Sequence, residues 1–141
     1  MSETMIFKNV KINYHDVGMG NAIVFLHGFL ESLDIWNEMT KRLCCGYRMI
    51  SIDLPGFGKS AMVSKEHSME TYADCVKAVL DHLVIRKCVI VGHSMGGYAS
   101  LMFAEKYPEM LMGLGLFHSH AAADDEEGKK NRNRAIEIIK K

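Results

Sequence analysis

The chain predicts an α/β protein built on a mostly parallel sheet covered by helices. Three observations predict it. Strand-length apolar runs alternate with stretches of helical periodicity, which is the signature of βαβ units. Several of those runs are apolar at every position, as strands buried on both faces are. Three of them stop on turns rich in glycine or proline: His27-Gly28-Phe29, Asp53-Leu54-Pro55-Gly56-Phe57-Gly58 and Gly92-His93-Ser94-Met95-Gly96-Gly97. At 141 residues the chain supplies one domain's worth of core.

The elements follow in order. Residues 5–8 and 10–16 read as two short strands in a hairpin, with Gly18 and Gly20 marking the next turn. Ala22 to Leu26 is continuously apolar and reads as a buried strand. Leu33, Trp36, Met39 and Leu43 recur at helical spacing, predicting a helix over 33–44. Tyr47 to Ile52 is a further strand, and the Pro-Gly-rich stretch after it is loop. Tyr72, Val76, Val79, Leu80 and Leu83 form one stripe of a helix over 69–84. A strand ending at Gly92, a helix to about Tyr107, Pro108 as its stop and a strand over Leu111–Phe117 complete the pattern. The sequence divides into a core, residues 1–120, and an amphipathic helical tail, residues 121–141. Asp124 with Glu127 three residues on resembles a capping box for that tail.

Composition narrows the function classes. Lys+Arg and Asp+Glu both number 17, so nothing in the charge points to nucleic acid or an anionic membrane surface. The apolar runs are far shorter than the ~20 residues of a membrane span, and the first residues carry no basic, then apolar, leader pattern. Cys44, Cys45, Cys75 and Cys88 lack metal-ligand spacing and read as buried free thiols in a reducing cytoplasm. No metal or organic cofactor is expected.

The chemistry concentrates at Ser94. A β-branched run, Val89-Ile90-Val91, stops on G-x-S-x-G and a helical pattern follows at once. That is a nucleophile elbow, a sharp strand-to-helix turn that lifts a serine hydroxyl above the sheet. Its flanking glycines allow the tight turn, and the helix that follows aims its first N–H groups at the site.

Together with Leu26-His27-Gly28-Phe29 and Asp53-Leu54-Pro55-Gly56-Phe57-Gly58-Lys59-Ser60, this motif resembles the α/β-hydrolase superfamily, in its esterase-like branch. The resemblance runs from about residue 5 to the tail. It implies that Ser94 attacks a carbonyl carbon and that the amides of Phe29 and Met95 hold the oxyanion. It implies that Gly28 lets its loop approach the elbow, and that His27 and His93 brace loops or shape the pocket. Asp53 belongs to a turn that the family uses structurally, and as a lone carboxylate it is expected to bind amides of its own loop.

The same resemblance exposes a gap. The family sheet has about eight strands, with the catalytic acid after the seventh and the histidine base after the eighth. Six strands are legible here, so the last two strands and most of the cap are absent, and the tail reads as the start of the cap. A small ester or acyl substrate is expected, with the acid and histidine supplied by a complementing C-terminal chain or segment. A second reading makes the chain a non-catalytic interaction module or homodimer, pairing through the edge of the sixth strand. A third makes it self-contained, with His118 or His120 as base and Asp124 or Asp125 orienting it.

Overall fold

The first turn is set by two consecutive residues in the left-handed region, Lys8 (φ 46°) and Asn9 (φ 68°). Such a pair matches the twist of a two-residue hairpin, so the strands on either side pair antiparallel. In this computed structural model, which describes residues 2–140, the hairpin joins β1 (Ser2–Phe7) to β2 (Val10–Val17). Four more strands follow: β3 (Ala22–Leu26), β4 (Arg48–Ile52), β5 (Cys88–His93) and β6 (Leu111–Phe117). The sheet order is β1-β2-β4-β3-β5-β6. β2 meets β4 antiparallel, and β4, β3, β5 and β6 are parallel neighbours. The mostly parallel, helix-covered α/β architecture is the one the sequence predicts.

Four helices connect and flank the strands: α1 (Asn37–Leu43), α2 (Met69–His82), α3 (Met95–Lys106) and α4 (Glu126–Ile139). On one face, α2 and α3 pack together over a large core that includes Val24, Leu26, Ile52, Val76, Val79, Ile90, Ala99 and Phe103. The other face carries a smaller cluster of Phe25, Trp36 and Met49, with Ile23, Met39 and Val91 packed against it. Alternation along β5 follows from this: Cys88, Ile90 and Gly92 are buried under α3, whereas Val89, Val91 and His93 are half-exposed on the other side.

Local differences from the sequence pattern have physical causes. β1 begins at Ser2 because a backbone ladder to β2 needs no apolar side chain, and its residues 2–4 stay exposed. The expected helix over 33–44 opens as a 3-10 turn, Leu33–Trp36, because Ser32 accepts the Asp34 amide and tightens the first turn. α2 stops at His82, before Val84 turns left-handed and the Ile85 N–H reaches back to the Leu80 carbonyl, a Schellman-type ending. The tail helix is capped by Asp125, whose Oδ1 accepts the Gly128 N–H at 2.7 Å. That places Glu127 inside the first turn, so the expected Asp124–Glu127 box does not form. Asp124 pairs instead with Arg132, which also reaches the Tyr98 hydroxyl at 3.0 Å. No residue of α4 is buried. Of the four cysteines expected to be buried, only Cys75 and Cys88 are.

Candidate active site

Ser94 stands where β5 hands over to α3, with φ 48° and ψ −113°. An L residue adopts that backbone only when its surroundings enforce it. Here they do so from both sides. The Ser94 N–H donates to the Phe117 carbonyl at 3.1 Å. Its own carbonyl accepts the Ser119 hydroxyl at 2.9 Å and the Gly97 N–H at 2.9 Å. The side chain is left exposed.

Two glycines make the corner possible. A Cβ on Gly92 would come within 2.2 Å of the Gly96 carbonyl oxygen. One on Gly96 would come within 2.5 Å of the Leu26 carbonyl oxygen and 2.6 Å of that of His27. The first turn of α3 therefore lies directly on the end of β3, which brings the loop after β3 beside the elbow. Gly28 leaves room for side chains at this approach: a Cβ there would come within 2.7 Å of Glu31 Oε2 and 2.9 Å of Nδ1 of His93, the elbow residue before Ser94.

Of the two amides expected to face an oxyanion, that of Met95 opens α3 and has no partner within the helix. The Phe29 amide lies in the loop after β3 and meets no acceptor among the described residues. The Phe29 ring is half exposed and packs edge-on against Phe57 at 5.8 Å.

His27 is completely buried. Its Nδ1 bonds the Gly28 carbonyl at 2.7 Å and its Nε2 accepts the Leu54 N–H at 3.0 Å. A ring that donates at one nitrogen and accepts at the other is neutral, and burial holds its pKa below the ordinary histidine value. This ring joins the loop after β3 to the loop after β4. His93 Nδ1 bonds Glu31 Oε2 at 2.8 Å.

The two candidate bases point to other partners. The His118 ring packs edge-on against Phe117 at 4.7 Å and faces His93 at 6.1 Å. His120 lies edge-on to Tyr98 at 6.1 Å. Among the described residues no hydrogen bond joins either ring to the Ser94 hydroxyl, and Asp124 is engaged with Arg132. Asp125 caps α4 rather than meeting a histidine. No group of three or more metal-ligating side chains occurs among the described residues, and no helix is long and apolar enough to cross a membrane.

Asp53 is buried, and its reach exceeds its own loop. It accepts the Lys59 N–H at 2.9 Å, the Leu33 N–H at 2.7 Å and the Asn13 side-chain amide at 2.8 Å. The carboxylate thus fastens β2, the loop after β3 and the loop after β4 at one point. A Cβ on Gly58 would overlap it at 2.3 Å.

Two residues around the elbow escape sequence reasoning. Ser119 grips the Ser94 carbonyl, and Glu31 bridges Gly28 and His93. Neither belongs to a spaced motif, and a serine or glutamate in a polar loop carries no pattern that distinguishes it. Only the fold brings them to the site.

Comparison with known proteins shows the family. Residues 21–130 match the family described as alpha/beta hydrolase fold. A 2-hydroxy-6-oxo-6-phenylhexa-2,4-dienoate hydrolase of Burkholderia cepacia is 39% identical over 117 residues, 76% of this chain and 41% of that protein. Epoxide hydrolase 4 of Mus musculus is 33% identical over 115 residues, 76% of this chain and 32% of that protein. A thermophilic esterase from Thermogutta terrifontis superposes with a TM-score of 0.85 at 36% identity, covering 92% of this chain and 48% of the esterase. The chain thus spans less than half the length of these three relatives, and its six-stranded sheet is a partial fold. On its matched residues, its sheet and its elbow, the chain belongs to the alpha/beta hydrolase fold family.

Proposed function

We propose that this chain is the nucleophile-bearing part of a serine hydrolase acting on carboxylic esters or related acyl compounds. The observation that carries the reading is the exposed Ser94 hydroxyl on a corner of positive φ, at the N-terminus of α3. Ser94 Oγ attacks the carbonyl carbon of the substrate. The carbonyl oxygen becomes an oxyanion that accepts from the Met95 and Phe29 amides. The bond to the alcohol oxygen then breaks, the alcohol departs with the proton that Ser94 gave up, and acyl-Ser94 remains. Water hydrolyses this ester to the acid and restores the serine.

Both proton transfers need a base, and the base and its orienting acid are assigned to a complementing C-terminal chain or segment. Residues 121–141 are the beginning of the cap in this reading. Without that base, turnover falls on the order of a million-fold, while oxyanion binding alone retains ~10³–10⁴ over water. The four free thiols support a reducing, cytoplasmic setting. No cofactor enters the chemistry.

The test is incubation of the chain with p-nitrophenyl acetate, followed by intact-mass analysis. Slow addition of one acetyl group, retained because deacylation lacks a base and absent in Ser94→Ala, is the expected result. Acetyl groups spread over lysines and unaffected by Ser94→Ala would overturn the reading.

A second reading has its own observation. β6 is an edge strand whose Met112, Leu114 and Phe117 are 48%, 39% and 43% exposed. An unpaired edge of this kind invites another strand, and self-association through it makes a homodimer. A stable dimer by sedimentation, with no acylation of Ser94, would favour that reading over the hydrolase.

A further inference from the structure

Glu31 sits four residues past His27 in the loop after β3, and one of its oxygens does two things. Oε2 accepts the Gly28 N–H at 2.6 Å and meets His93 Nδ1 at 2.8 Å. The first partner directly precedes Phe29, whose amide is one proposed oxyanion donor. The second directly precedes Ser94, the proposed nucleophile. The two partners lie 65 positions apart in sequence (93 − 28) on neighbouring strand ends, joined at a single oxygen. We propose that Glu31 is the positioning residue of this site, tying the oxyanion loop to the nucleophile corner and holding His93 as its Nδ1–H tautomer.

The chemistry follows from hydrogen-bond inventory. An ionised carboxylate accepts only, so the contact makes His93 Nδ1 the donor, and a neutral ring then carries no proton on Nε2. Burial pushes the Glu31 pKa upward, but the hydrogen bonds from His93 and Gly28 outweigh it and hold the carboxyl below its ordinary value. The carboxylate form is thus the one the surroundings favour. Charge-assisted bonds of this length are the stronger kind and fix direction as well as distance. The side chain is only 31% exposed, and the space it fills is available because residue 28 is glycine: a Cβ there would strike Oε2 at 2.7 Å. Leu30 is 68% exposed and left-handed (φ 59°), so no packing of its side chain holds the turn. Ser94 is already fixed from the β6 side by Phe117 and Ser119. Glu31 supplies the matching tie from the β3 side.

The assignment rests on the hydrolase reading for its consequence but not for its geometry, and the experiment separates the two. Long-range ¹H–¹⁵N spectra of the whole chain, recorded at alkaline pH, report which nitrogen of His93 carries the proton. Expected are Nδ1–H in the wild type, the same in Glu31→Gln, whose amide oxygen still accepts, and Nε2–H in Glu31→Ala. In parallel, labelling of Ser94 by an aryl fluorophosphonate is expected to slow ~10–100-fold in Glu31→Ala, the cost of ~1 Å of misplacement. Glu31→Gln restores it to within a few-fold. An Nε2–H tautomer in the wild type overturns the assignment even if a variant fails to fold. So does a folded Glu31→Ala with His93 and labelling unchanged. A wild-type chain that never labels at Ser94, with the tautomers as expected, removes the hydrolase reading and leaves the Glu31 tie standing.

Discussion

β5 is where a finished region of the molecule meets an unfinished one. On its β3 side, Val24, Leu26, Ile50, Ile52 and Ile90 are completely buried, and β2, β4 and β3 each have a neighbour on both edges. On its β6 side the sheet ends in an unpaired edge, with Met112 and Leu114 exposed by more than a third, and α4 stands off with no buried residue. Ile90 and Leu114 are direct partners across β5 and β6, yet one has no exposed surface and the other retains 39%. The stability of this chain resides on the β3 side of β5. The inner strands and the loops after β3 and β4 are held by packing and by the Asp53 and His27 bonds. The Ser94 corner is built on the seam with the region that lacks cover.

Cutting the same kind of side chain on each side of the seam should give unequal losses. Ile90→Ala is expected to cost roughly 2–5 kcal/mol in urea unfolding, whereas Leu114→Ala costs less than about 1.5 kcal/mol because much of its surface is already in water. Equal losses would mean that the β6 side is as well packed as the inner sheet. Asp53→Ala is next. It leaves the Leu33 and Lys59 amides and the Asn13 side-chain amide without their shared acceptor. A loss of roughly 3 kcal/mol is expected, and an unchanged midpoint would remove Asp53 from its role as the fastening point.

A smaller effect comes from pH. His27 and His67 both have folded-state pKa values held below 6.5 by burial. A group depressed in this way binds fewer protons folded than unfolded, so its contribution is complete above pH 6.5 and fades as pH falls toward the folded value. Stability should therefore decline below neutrality, before Glu31 and Asp74, held below their ordinary values, begin to titrate. Their contribution fades in a lower window, as pH falls through their folded pKa values. Denaturation midpoints measured in steps from neutral to acid check this. His27→Gln should flatten the upper part of the profile, and an unaltered profile would assign the slope elsewhere.

The seam also divides what the sequence made legible. Buried strands and helices announce themselves because burial demands apolar residues at a fixed period, and Ala22–Leu26 and Tyr72–Leu80 obey that demand. Leu111–Phe117 carries the same buried-strand pattern, yet no residue of β6 is buried because it lies at the sheet edge. The elbow is legible because backbone crowding at Gly92 and Gly96 excludes every side chain. β1 began earlier than its apolar residues do, since ladder bonds carry no side-chain signature. The cap of α4 falls on Asp125 rather than Asp124: adjacent aspartates both suit an N-cap, and Asp124 is engaged with Arg132. Glu31 and Ser119 were invisible for a related reason. Their value lies in partners that are close in space and remote in sequence, and neither residue type is rare in a loop.

Peptide mapping after reaction with an aryl fluorophosphonate tests most directly whether Ser94 is a nucleophile presented by a strained corner. One adduct on Ser94, formed slowly and abolished by Ser94→Ala in a chain that keeps its fold, is the predicted result. Adducts scattered over other serines and tyrosines, with Ser94 unmodified, would contradict it.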